Sequence, residues 1–216
     1  MDMRNLALAL ALTAAVGGVQ AARLDEKGFV RDWLIGGPWP SYRAEPLAKG
    51  LDTDFLDAEA DARPYPGLKA EATFVADVSK LIAGIGSANE WGWKMTRRLD
   101  ATWQARQFPA GVIAMDRQFG EVDDHFAFYA ACYLDAAEAV EAVIAVGSDD
   151  DHKVWLDRSE LGRQATSQGV IPGNFRYAHR LTAGVHRLLV KVVDRTQGCG
   201  FCVQLLDGEG RPLGGV

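Results

Sequence analysis

The chain has 216 residues, 48% hydrophobic and 24% charged, with 29 acidic against 23 basic side chains and a net charge of −6. That length suits one large core better than two independent domains. With no basic block to follow a phosphate backbone, nucleic acid is excluded as an expected partner, and the acidity fits a neutral ligand or a cation better than a polyanion.

The chain opens with Arg4, an apolar run from Leu6 to Leu12, and the small-x-small exit Val19-Gln-Ala21. The run falls short of the roughly 20 residues of a membrane span and matches a secretory leader cleaved after Ala21 or Ala22. The sequence therefore predicts a secreted or periplasmic protein with no membrane span after cleavage. An uncleaved anchor is the other reading, since Asp2 weakens the positive start.

Beyond the leader, Phe29 to Pro40 reads as a strand ending at the Gly36-Gly-Pro-Trp-Pro40 corner. Residues 41–67 are turn-rich and acidic. Phe74, Val75, Val78, Leu81 and Ile82 recur at helical spacing, which predicts a helix over 70–82. From there the period shortens to two. Phe126, Phe128, Ala130, Cys132 and Leu134 alternate with Ala127, Tyr129, Ala131 and Tyr133, as on a strand with one face on a core. Ala142 to Val146 is a nearly continuous apolar run, the pattern of an interior strand, and ends in the turn cluster Gly147-Ser-Asp-Asp-Asp151. Lys153 to Leu156 is a short strand closed by Asp157-Arg158. Leu188, Val190 and Val192 share one face of the next, Phe201, Val203 and Leu205 repeat the pattern, and Asp207 to Gly210 supply the last turn.

Short strands separated by turn residues, with little helix, predict an all-β, antiparallel β-sandwich with a small helical or irregular insertion. The expected organisation is a signal peptide over 1–21, an N-terminal segment packed on the sandwich over 22–110, and the sandwich core over 111–216.

Cys132, Cys199 and Cys202 allow either one bridge and a spare thiol or three buried thiols. The Cys199-Gly-Phe-Cys202 spacing lacks the strand-to-helix setting that activates a redox pair.

The order of elements from Tyr129 to Leu206 resembles the jelly-roll, galactose-binding-like (PA14-like) carbohydrate-binding domains of secreted bacterial proteins. The matching segments are Gly147-Ser-Asp-Asp150, Lys153-Val-Trp-Leu156, Leu181-Thr-Ala-Gly184, Arg187-Leu-Leu-Val-Lys-Val192 and Gly200-Phe201; Asp32 to Trp39 and Gly50 to Phe55 are similar to an opening segment that precedes such modules. The resemblance implies a jelly-roll fold and a glycan ligand. Asp157-Arg158 stands where an Asn-Gly turn is usual, and Val185 and Cys199 stand where aromatics are expected, which implies an altered sugar platform.

Sugar recognition needs flat rings to stack on the C–H face of a pyranose and carboxylates to accept hydroxyl protons. Trp155, Trp91 and Trp93, with Trp103, are the candidate rings, the alternative being burial in a core. Asp149, Asp150 and His152 are the candidate polar partners. Asp149 and Asp151 are candidate ligands for a structural calcium, with Asp52, Asp54 and Asp57 a second acidic cluster; a plain solvated turn is the other reading of each. No catalytic cofactor is expected. His125 beside Asp123 and Asp124 is the nearest approach to an acid–base set, but there is no HExxH, G-x-S-x-G or P-loop pattern. The sequence thus predicts a non-catalytic carbohydrate-binding or related recognition domain whose partner is a polysaccharide or glycan, or another envelope protein. A structural or protein-interaction sandwich of the envelope and a small secreted hydrolase are the alternatives.

Overall fold

The structure is a computed structural model, described here for residues 21–41, 48–56, 58–71, 100–115, 118–119 and 124–213. Residues 1–20 of the expected leader, most of the expected helix, Trp91 and Trp93 lie outside these residues.

Two antiparallel sheets face each other. The larger has six strands: β1 (Asp32–Pro40), β4 (Gln104–Gln107), β6 (Phe126–Ala136), β8 (Asp151–Leu156), β9 (Ser159–Gln164) and β11 (Gly184–Val193), in the order β4-β1-β6-β11-β8-β9. The smaller has four: β5 (Ile113–Ala114), β7 (Val140–Asp149), β10 (Phe175–Leu181) and β12 (Gly200–Leu206), in the order β10-β7-β12-β5. A short ribbon pairs β2 (Lys69–Glu71) with β3 (Asp100–Thr102), and a five-residue helix, α1, spans Ala48–Asp52. The all-β sandwich expected from the sequence is thus present. The expected boundary at residue 110 does not divide core from cover, because β1 lies inside the six-stranded sheet, hydrogen-bonded to β6. Ala70, expected to open a helix, belongs instead to β2.

The side-chain alternation explains two apolar layers. Phe126, Phe128, Leu188, Val190 and Val192 point between the sheets, where they meet Ile144, Val146, Phe201, Val203 and Leu205. The intervening positions, Ala127, Tyr129, Ala131, Leu189, Val193 and Trp155, form a second layer on the outer face of the larger sheet. That face is roofed by Leu51, Phe55 and Trp103. With both faces covered, β6 and β11 are apolar nearly throughout, which a half-exposed strand would not be.

Cys132, Cys199 and Cys202 are all free and buried, so the three-thiol alternative holds and no bridge forms. Burial pushes the Cys202 thiol up to about 11 and the Cys132 thiol higher still, making both poor nucleophiles. Among the described residues no helix is long and apolar enough to cross a membrane.

Candidate functional site

Strand register gathers acidic side chains at one end of the sandwich. Val193, the last residue of β11, pairs with Ala127 of β6 and with Asp151 of β8, while Asp149 at the end of β7 pairs with Gly200. The residues just beyond these strand ends therefore become neighbours: Asp124 before β6, Asp150 between β7 and β8, and Asp194 after β11. The peptide between Asp149 and Asp150 is cis.

Asp194 is the most constrained of the group. It is only 1% exposed. Its Oδ2 accepts the His125 N–H at 3.1 Å, but its Oδ1 is buried with no hydrogen-bond partner among the described residues. Burial first, and then the charges of Asp124, Asp150 and Asp149, push its carboxyl up to about 8. Asp150 is also raised by burial, although its Oδ2 accepts the Arg195 N–H at 2.9 Å. A donor set made wholly of carboxylate oxygens matches a hard cation such as calcium, and the orphaned Asp194 oxygen is the acceptor most in need of one. Among the described residues, no three His, Cys, Asp or Glu side chains are gathered as a ready metal-ligand set. The fit therefore rests on donor chemistry and the unpartnered oxygen, not on preformed coordination.

The other expected site residues are distributed differently. Asp151 turns away from this group: its carboxylate accepts the Thr166 N–H at 2.8 Å and the Arg195 guanidinium at 2.5 Å, so its charge is already matched. Its carboxylate is thus engaged apart from Asp150 and Asp194. Trp155 is 2% exposed, in the outer layer beneath the roof, with the Lys153 ammonium 4.6 Å from its ring centroid. It is not a stacking surface, because residues far upstream in sequence cover the face on which it stands. Trp103 is buried in the same layer. Asp54 caps a local turn through the N–H groups of Leu56 and Glu59, and Asp52 pairs with Arg163, so these two do not form a cation loop.

His152 is fully buried rather than presented to a ligand. Its Nδ1 lies 2.8 Å from Ser148 Oγ and its Nε2 lies 2.8 Å from the Tyr177 hydroxyl. Ser148 donates its own proton to the Asp150 carbonyl at 2.6 Å, so Nδ1–H donates to Ser148 and Nε2 accepts from Tyr177. This closed network leaves no activated serine, and burial pushes the imidazole down to about 4.

Asp194 escaped the sequence reading as a ligand candidate, and Asp124 entered it only beside His125; the available signal was positional. Each is an acidic residue flanking a long apolar strand, where neighbouring strand ends must come together.

A second concavity, of about 780 Å³, lies at the opposite end of the same strands, beside Tyr133, Asp157, Val185 and Arg187.

No family model matches this chain, and no curated protein matches it. Among solved structures, the chain is similar to an anti-sigma factor domain-containing protein at 12% identity, covering 51% of this chain and 41% of that one, with a TM-score of 0.41. It spans 14% of a beta-glucosidase from Kluyveromyces marxianus, at 11% identity over 49% of this chain, TM-score 0.37. It thus covers less than half the length of either. Similarity also extends to the PA14 domain of MpAFP antifreeze protein, at 13% identity over 84% of this chain and 86% of that one, TM-score 0.44. A PA14 sugar-binding domain from an RTX adhesin matches at 15% identity over 86% of this chain and 99% of that one, TM-score 0.42.

Proposed function

We propose that this chain is a non-catalytic glycan-recognition domain whose contact surface is the strand end where Asp149, Asp150 and Asp194 come together. The observation that carries this reading is the buried, unpartnered Oδ1 of Asp194 amid the charges of three other carboxylates. A lone buried carboxylate oxygen is costly unless something positive or proton-donating meets it. Asp149, Asp150 and Asp194 would hold a calcium ion, with Asp124 contributing to the negative field. Bound there, the ion would supply Lewis-acid contacts to sugar hydroxyl oxygens.

The protein's own contribution is orientation. The His125 N–H fixes one oxygen of Asp194 and leaves the other unpartnered, while the N–H groups of Arg195 and Thr196 hold the Asp150 carboxylate in place. The strand and turn order from Tyr129 to Leu206, with its resemblance to carbohydrate-binding modules, supports a sugar as the ligand. In this reading the domain acts outside the cytoplasm after loss of residues 1–21, on a polysaccharide or a glycan-bearing envelope surface. Catalysis finds no support at Ser148 and His152, which are sealed from solvent.

The test is glycan-panel binding by the full chain in calcium and in EDTA, beside thermal unfolding in both. Calcium should raise the Tm and enable glycan retention, and Asp194→Asn should abolish both effects. Retention in EDTA of the same neutral glycan that is retained in calcium, or indifference of both readouts to calcium, overturns the proposal.

A further inference from the structure

The geometry points to a second binding site, at the opposite end of the sandwich, for an acidic sugar: a pyranose unit carrying a carboxylate, as in a uronic acid oligosaccharide. The cavity of about 780 Å³ there falls in the range of small-ligand sites, and it opens between the turn after β8, the start of β11 and the segment from Ala60 to Tyr65.

Its charge is opposite in sign to that of the whole protein. Arg63, Arg158 and Arg187 line it against only Asp61 and Asp157. Both carboxylates are engaged: Asp61 pairs with Arg158 at 2.7 Å, and Asp157 accepts from His186 Nδ1 at 2.8 Å and from the Arg187 N–H at 2.9 Å. Arg63 has no ion pair among the described residues. Arg187 is only 6% exposed, yet its guanidinium donates solely to neutral carbonyls, those of Ala60 (2.7 Å) and Ala62, and its Nε has no acceptor. Burial lowers its pKa, against the nearby charges of Asp157 and Asp61, which oppose the shift without accepting a hydrogen bond from its guanidinium. A buried cation with neutral partners and one idle donor is a state that an anion would stabilise, and a guanidinium suits a carboxylate better than an ammonium does.

The remaining walls are apolar and flat. Tyr65 is 49% exposed and Val185 is 40% exposed, although large apolar side chains at this level of exposure are few among the described residues. Tyr133, half-buried, donates its hydroxyl to the Pro64 carbonyl at 3.0 Å, which presents its ring to the cavity wall. An aromatic face beside a guanidinium group that has an idle donor matches a ligand with a C–H face on one side and a carboxylate on the other. A simple inorganic anion would leave the tyrosine face unused, and a neutral sugar would leave the arginines unmatched.

The test is calorimetric titration of the full chain with oligogalacturonate and with its methyl ester, both in EDTA so that any calcium-dependent site is silent. The acidic oligomer should bind, and the ester should bind at least about tenfold more weakly, the loss expected for one charge-assisted contact. Arg63→Gln and Tyr65→Ala, both at exposed positions and so compatible with folding, should each weaken binding by about the same factor. Raised salt should weaken the acidic oligomer selectively. The inference is overturned if the acidic oligomer does not bind, if the ester binds equally, if neither variant changes the affinity, or if inorganic phosphate displaces the oligomer at comparable concentration. Because the titration runs without calcium, its failure leaves the acidic-end proposal standing, and the reverse also holds.

Discussion

Lys191 Nζ lies 2.8 Å from Glu59 Oε1, a buried ion pair between residues 132 positions apart that fastens the roof to the outer face of the six-stranded sheet. The same ammonium donates to the carbonyls of Leu51 and Thr53, and the same carboxylate accepts from the Tyr129 hydroxyl and, at 3.2 Å, from Lys153. Glu59 thus serves two lysines and a tyrosine, with Glu160 Oε2, 3.4 Å from Lys153, as a second and more exposed carboxylate for that lysine. Glu59→Ala should cost about 3–5 kcal/mol, the penalty for leaving a buried charge without its partner. Urea unfolding measures it, and a loss below about 1 kcal/mol would show that the roof is not held this way.

Lys191 also sets a pH dependence. Burial pulls its ammonium down to about 8 from 10.5, with Glu59 opposing the shift. Between those values the unfolded chain holds more of this proton than the folded one, so this contribution to stability rises with pH from about 8 to about 10.5 and is lost as pH falls through about 8. Lys191→Met removes it. Subtracting the variant's stability curve from the parent's should leave a positive slope in that window, and a flat or negative difference would contradict the assignment.

Trp155 separates ligand contact from packing. Its ring is buried in the outer apolar layer, so Trp155→Ala should destabilise the fold by about 3–5 kcal/mol, as truncation of a large buried ring does. Chemical denaturation checks this. A variant of parental stability that lost only glycan retention would restore the exposed-platform role.

His152 should remain neutral down to about pH 4, with Nε2 held by Tyr177. Imidazole NMR shifts followed against pH should show no titration near 6.5. Tyr177→Phe, which removes the donor to a buried nitrogen, should cost about 1–3 kcal/mol.

The three thiols give a further check. In the native protein iodoacetamide should modify none of Cys132, Cys199 and Cys202, and in denaturant without reductant it should modify all three, as mass spectrometry would show. A mass short of three additions would reveal a bridge.

Much of the fold was legible because strand formation is a local affair. The two-residue period from Phe126 to Leu134 and from Leu188 to Val192 marks β6 and β11, and the turn residues at Asp157 and at Asp207 to Gly210 mark the ends of β8 and β12, whatever surrounds them. The edge strand β9, Ser159–Gln164, carried no such signal, being polar and largely exposed or half-buried, whereas in β10 Phe175, Tyr177, His179 and Leu181 alternate with more exposed residues, a period weakened by its polar members.

What the sequence by itself determined was therefore the all-β class, the main strands and the acidity of the Asp149 turn, since alternation and turn chemistry act between near neighbours in the chain. Which tryptophans are hidden, and which carboxylates meet, was decided only by tertiary structure. Alternation assigns Trp155 to one of two faces without saying that residues 51–68 will cover that face, and Asp194 reaches Asp124 and Asp150 only because antiparallel register aligns the ends of β6, β7, β8 and β11.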